Sequence, residues 1–168
     1  MKRTALIVAG MFLSASVWAA GLTKSDQNFL ENAAQAGHFE IEGSKLAATQ
    51  GASGDVKSFA DQMIQDHTAV GNELDQLASS KGVQVSTEPS LIQKAKLKVL
   101  GAYKGASFDK HYASEVGVSA HQDAVKLFQT ASRKAKDPDV KAFATKALPQ
   151  LQHHLAMAQS LKATADTE

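Results

Sequence analysis

Apolar side chains recur three and four residues apart through four long stretches of this chain, and no run of alternating β-branched residues competes with them. A 3.6-residue repeat sustained over such lengths commits a segment to an amphipathic helix. Alanine is abundant and aromatic residues make up only 6% of the chain, which favours helix further, because alanine loses least on entering one. At 168 residues the chain has the usual size of one domain with a real core.

Helix stops and starts then divide it. The first helix is expected over about 23–50, with Thr23 or Ser25 as N-cap and Gly51 as stop, and the second over about 54–81, opened by Ser53-Gly54-Asp55 and closed by Lys81-Gly82. A polar stretch leads to Pro89-Ser90, which opens a short connector helix over about 89–103. The third helix is expected over about 107–136 and the fourth over about 138–163, from Asp137-Pro138, with Pro149 predicting a kink inside it. Asp55-Val56-Lys57-Ser58-Phe59-Ala60 recurs as Asp139-Val140-Lys141-Ala142-Phe143-Ala144, each opening the second helix of a pair. The pattern predicts an all-α, ferritin-like antiparallel four-helix bundle over residues 23–164, two helical hairpins joined by a long crossover that carries the connector.

Turning each helix by about 100° per residue shows which polar side chains lie on apolar faces. Glu40 falls within the stripe of Phe29, Ala33, Ala36 and Ala47; His67 sits among Val56, Phe59, Met63 and Leu74, with Asp66 at its flank; His154 sits among Leu148, Leu151, Leu155 and Ala158. The third helix changes phase: Phe108, Tyr112 and Val116 do not line up with Ala124, Leu127, Phe128 and Ala131, and His121 belongs to the second register. A local π-bulge reconciles the two registers, and such bulges occur often at functional sites. Each long helix thus sends one ionisable residue inward, and buried groups of this kind need partners.

The N-terminus has a separate plan. Met1-Lys2-Arg3, an uncharged apolar run from Ala5 to Val17 and the small residues Ala19 and Ala20 make a secretory signal over 1–19, cut after Ala19 or Ala20. The apolar run is shorter than the roughly 20 residues a bilayer span needs, so the mature protein is expected to be soluble, periplasmic or secreted, with no transmembrane span. Losing Lys2 and Arg3 takes the 18 basic residues to 16 against 17 acidic ones, so the formal charge turns from +1 to −1. That balance gives no reason to expect nucleic acid as a partner. Cysteine is absent, which removes both disulfides and a lipid-attachment thiol. Lys94, Lys96, Lys98 and Lys104 make the crossover basic; it reads first as a solvated surface and second as a contact for anionic lipid or an acidic partner. There is no phosphate-binding glycine loop and no nucleophile elbow.

The segments Gly37-His38-Phe39-Glu40-Ile41-Glu42-Gly43-Ser44, Phe59-Ala60-Asp61-Gln62-Met63-Ile64-Gln65-Asp66-His67, Phe108-Asp109-Lys110-His111-Tyr112, Ala120-His121 and Leu148-Pro149-Gln150-Leu151-Gln152-His153-His154 resemble the bacterial domain-of-unknown-function 4142 family across nearly the whole mature chain. The resemblance implies a ferritin-like bundle, export, an association with the outer membrane and no established activity. It also implies that Glu40, Asp66, His67, Phe108, Asp109, Tyr112, His121, Pro149 and His154 belong to the family's pattern. Di-iron ferritins carry Glu-x-x-His motifs, whereas Ile64, Val118 and Leu151 stand three residues before His67, His121 and His154, so a ferroxidase centre is not expected.

Two functional readings follow. In the first, the protein is a non-enzymatic envelope or stress-related module acting through protein or surface contacts, and its interior polar residues form a hydrogen-bonded knot. In the second, Glu40, His67, His121 and His154 hold one transition-metal ion, zinc, iron or copper, with Asp66 and Tyr112 behind them.

Overall fold

The computed structural model describes residues 21–167; the signal sequence expected at residues 1–19 and its cleavage lie outside the described residues. The chain is an all-helical bundle, without a strand among the described residues. Helices α1 (Lys24–Gln50) and α2 (Gly54–Ser80) form the first hairpin, and α3 (Leu91–Leu100) lies in the crossover. The third long segment is built of α4 (Gly105–Tyr112), a π-helical stretch (Ala113–Ser119) and α5 (Ala120–Lys134); α6 (Pro138–Thr167) closes the second hairpin against it and runs on through Pro149. None of these helices is long and apolar enough to cross a membrane.

Local chemistry sets the ends. Thr23 caps α1 by accepting from Asp26 N, and Ser53 caps α2 by accepting from Asp55 N. Past α2, Gly82 turns left-handed at φ 68°; its N–H reaches Ser79 O and that of Val83 reaches Ala78 O, the paired bonds of a Schellman stop. Ser90 and Gln93 close a reciprocal capping box on α3. Asp137 accepts from Asp139 N and Val140 N at the start of α6, and Lys81, at the end of α2, binds both Asp137 and Asp139.

The core splits in two. One apolar cluster gathers Phe29, Leu30, Leu74, Phe128, Val140 and Phe143, the other Phe39, Val56, Phe59, Met63, Phe108 and Leu161. Between them, at the same level on α1, α2, α5 and α6, lie the buried Glu40, His67, His121 and His154. Removing apolar side chains from water stabilises by about 1.5–3 kcal/mol for each large one, so the two clusters supply the adhesion and the polar layer must be accommodated between them.

Two buried carboxylates tie the hairpins together reciprocally. Asp26, on the first turn of α1, accepts from Lys136 N and Asp137 N in the α5–α6 turn. Asp109, on α4, accepts from Ala52 N and Ser53 N in the α1–α2 turn. Each hairpin's first helix therefore satisfies the turn amides of the other. Asp26→Ala and Asp109→Ala are each expected to cost about 2–4 kcal/mol, because buried amides lose a charged acceptor; urea unfolding should show a lower midpoint at unchanged m.

Glycines report on how closely the helices approach. A Cβ at Gly43 on α1 would lie 2.8 Å from Val116 Cγ2 of the π stretch, and one at Gly117 would lie 3.3 Å from Ala158 Cβ on α6. The π stretch is thus pressed onto both neighbours. At Gly37 and Gly71 an added Cβ meets nothing within 4 Å. Gly37→Ala and Gly71→Ala are expected to stabilise the fold by about 0.5–1 kcal/mol each, by removing unfolded-chain entropy, read as a rise in thermal midpoint.

Candidate metal centre

The polar layer is assembled from one residue on each long segment, and its geometry follows from what holds the outer side of each ring. His121 Nδ1 lies 2.7 Å from Gly117 O and 3.2 Å from Val116 O. A carbonyl only accepts, so Nδ1 carries the hydrogen and Nε2 the lone pair. The π stretch makes this possible: Ala120 N bonds to Glu115 O, five residues back, and the return to α-type bonding at α5 presents carbonyls of the last π turn to the ring. The same insertion brings His121 onto the inner face in register with α5.

His67 Nδ1 sits 3.1 Å from Glu40 Oε2, with both side chains buried. A lone pair against a carboxylate oxygen would repel it, so the hydrogen is again on Nδ1 and Nε2 is bare. His154 Nε2 is 2.9 Å from Asp66 Oδ2, which leaves Nδ1 as the bare nitrogen. That atom is buried without a hydrogen-bond partner, as is Glu40 Oε1.

The bare nitrogens converge. His67 Nε2 and His121 Nε2 are 3.3 Å apart, and the ring centroids of the three histidines stand 5.3 Å, 5.3 Å and 5.6 Å from one another. Each ring offers one nitrogen, all three within 4.8 Å of one another. Two nitrogens at 2.0–2.1 Å from a tetrahedral ion are separated by about 3.3–3.4 Å. The His67–His121 spacing already has that value, and the His154 ring offers a third nitrogen within 4.8 Å of the other two ligand atoms.

The electrostatics favour the neutral form of His67 and His154. Burial lowers the His67 pKa, opposed by the Glu40 charge and reinforced by His121. Burial also lowers His154, to about 4, with His67 adding to the effect and the Asp66 hydrogen bond opposing it. Neutral imidazole is the ligand form.

Of the residues expected at the site, His67, His121 and His154 face one another, and Asp66 stands behind His154. Glu40, expected as a ligand, lies on the Nδ1 side of His67 and 3.6 Å from His121 Nδ1, in the orienting row rather than among the converging nitrogens. Tyr112, expected behind the ligands, pairs with Ser44 Oγ at 2.8 Å, and burial pushes its phenol pKa up. Ser44 and Asp26 were not singled out by periodicity, although both lie on the Glu40 stripe, four residues after it and fourteen before.

The model of a protein family described as a domain of unknown function (DUF4142) matches residues 13–161. The chain belongs to that family. No curated protein matches it. Among solved structures, this DUF4142 protein is similar to a DUF305 fragment from Deinococcus radiodurans, with a TM-score of 0.75 and 12% identity over 86% of this chain and 99% of that one. It is also similar to a conserved hypothetical protein from Mycobacterium tuberculosis, with a TM-score of 0.63 and 15% identity over 83% of this chain and 91% of the other. At such identities the likeness is one of fold.

For the metal-free DUF4142 protein the imidazoles set the acid limb of stability. The folded pKa values of His67 and His154 lie below the ordinary 6.5, so the unfolded chain binds protons that the folded one refuses. Stability should be complete above pH 6.5 and fall towards pH 4, with a slope of up to about 1.4 kcal/mol per pH unit for each imidazole. Urea midpoints between pH 7.5 and 4.5 check this, and His154→Phe should flatten the slope by one increment.

Proposed function

We propose that this DUF4142 protein is an exported binding protein for one transition-metal ion, held by His67 Nε2, His121 Nε2 and His154 Nδ1. The observation that carries the reading is the pinning of all three rings: each outer N–H faces an oxygen acceptor, Glu40, a π-turn carbonyl or Asp66, and each inner nitrogen is left bare towards the other two. Carboxylate and carbonyl acceptors behind ligating imidazoles are the usual support of a metal site, fixing the tautomer and raising ligand basicity. A ligand set of imidazoles without thiolate suits zinc, copper or iron, copper(II) binding most tightly at equal availability. With three protein ligands, the fourth position is left to water or another small donor. Export rests on the signal sequence read at residues 1–19, and envelope contacts fit an ion-holding role in that compartment.

A second reading takes the layer as a polar knot in which an added proton, making one ring of the pair cationic beside Glu40, is shared between His67 Nε2 and His121 Nε2, for which the 3.3 Å spacing is suitable. It leaves His154 Nδ1 without a partner, which is why the metal reading ranks first.

Untagged protein from the exported fraction is expected to contain close to one ion per chain by elemental analysis, and chelated protein to take up one zinc(II) or copper(II). His67→Ala and His154→Ala should abolish this, while Asp66→Asn should weaken affinity by about 10–100-fold through loss of ring orientation. Absence of saturable binding in the wild type, or binding untouched by the two histidine variants, would overturn the metal reading.

A further inference from the structure

The seam between α1 and α2 holds an unfilled space next to the imidazoles. The helices run antiparallel, with Glu40 on α1 facing His67 on α2. Three residues back along α1 stands Gly37, and four residues on along α2 stands Gly71. Both line one cavity of about 110 Å³ whose inner end is formed by Glu40 and His67. Neither glycine is there for close packing, since a Cβ at either position meets nothing within 4 Å, in contrast to Gly43 and Gly117. Each forfeits helix stability that alanine would supply, and what the pair preserves is the gap itself.

The gap is graded in chemistry. Asn72 and Asp75 stand exposed at its outer margin with the half-buried His38. Small and apolar side chains, Ala33, Ala34 and Leu74 among them, wall its middle. At the inner end, Glu40 spends one oxygen on His67, and the other, Oε1, is buried without a hydrogen-bond partner. A cation shedding water in an apolar throat needs oxygen or nitrogen donors at both ends of the passage, and this opening has them.

We propose that the Gly37–Gly71 seam is the port through which a divalent transition-metal ion reaches and leaves the three-histidine centre, with Glu40 Oε1 as the first interior oxygen it meets. The inference rests on the metal-binding reading above. Glu40 is a positioning and transfer group: it turns His67 by one oxygen and receives the ion by the other. A side chain at position 71 large enough to fill the space closes the passage without replacing a ligand.

Cobalt(II) is the probe, because its visible spectrum reports imidazole coordination, and uptake is followed by stopped-flow on the full mature chain, release by transfer to excess chelator. Gly71→Leu is expected to slow uptake and release together by at least about tenfold while the equilibrium Kd stays within about threefold of wild type. Gly54→Leu, the same change at another open helical glycine outside the cavity, should leave both rates unchanged. The double variant Gly37→Ala/Gly71→Ala narrows the throat by two methyl groups and should give a smaller slowing in the same sense; it carries the test if helical circular dichroism shows that leucine disturbs the fold. Wild-type rates in the plugged variants, or a changed Kd with unchanged uptake, would refute the port and leave the metal centre standing. No cobalt binding by the wild type would remove both.

Discussion

Burying three imidazoles and a carboxylate between two apolar clusters is tolerable only if their polar atoms are met, and the rest of the structure is arranged around that demand. An unpartnered polar group in such a place costs on the order of 1–3 kcal/mol, comparable with what one large apolar side chain contributes. Three outer N–H groups are answered by Glu40, Asp66 and the carbonyls of the π stretch. The answers come from three different segments, so the layer also fixes how α1, α2, α5 and α6 sit against one another. The inner nitrogens, His67 Nε2, His121 Nε2 and His154 Nδ1, stay without a donor, as does Glu40 Oε1, and all belong to the layer that the proposals concern.

The π stretch is where local preference gives way to that demand. Seven residues, Ala113–Ser119, depart from α-geometry and are held between α1 and α6 by contacts that leave no room for a Cβ at Gly43 and little at Gly117. Regular helix would carry His121 away from the level of His67 and His154, and would offer its ring no spare carbonyl. A breach of the helical repeat, supported on both sides by tight packing, is the sort of inconsistency that natural sequences keep at functional positions.

How much of this could be read from the chain depended on whether the signal was local. Thr23, Ser53, Ser90 and Asp137 announce helix starts because a cap bonds amides two or three residues away, and Lys81-Gly82 announces a stop for the same reason. The phase break after Val116 is legible because an inserted residue shifts every later apolar position. Periodicity also places Glu40, His67, His121 and His154 on inner faces. It does not say which ring nitrogen meets which oxygen, so the ligand set expected from sequence included Glu40, which stands behind His67, and a supporting Tyr112, which turns to Ser44. Asp26 carries no such signal, because an acidic residue in a first turn reads as a complement to the helix dipole, while its partners are amides 110 and 111 positions away. The opening at Gly37 and Gly71 has no sequence signature, since a glycine that permits contact and one that keeps a gap are the same letter.

The exchanged carboxylates bear on the order of events when the chain folds. The α1–α2 turn takes its acceptor from Asp109 and the α5–α6 turn takes its own from Asp26, so neither hairpin can finish its turn from its own residues. A chain appearing from its N-terminus has both helices of the first hairpin in hand by Ser80, yet the amides of Ala52 and Ser53 stay with water until the third long segment has followed. Completion of each turn therefore waits on a contact between residues far apart in sequence.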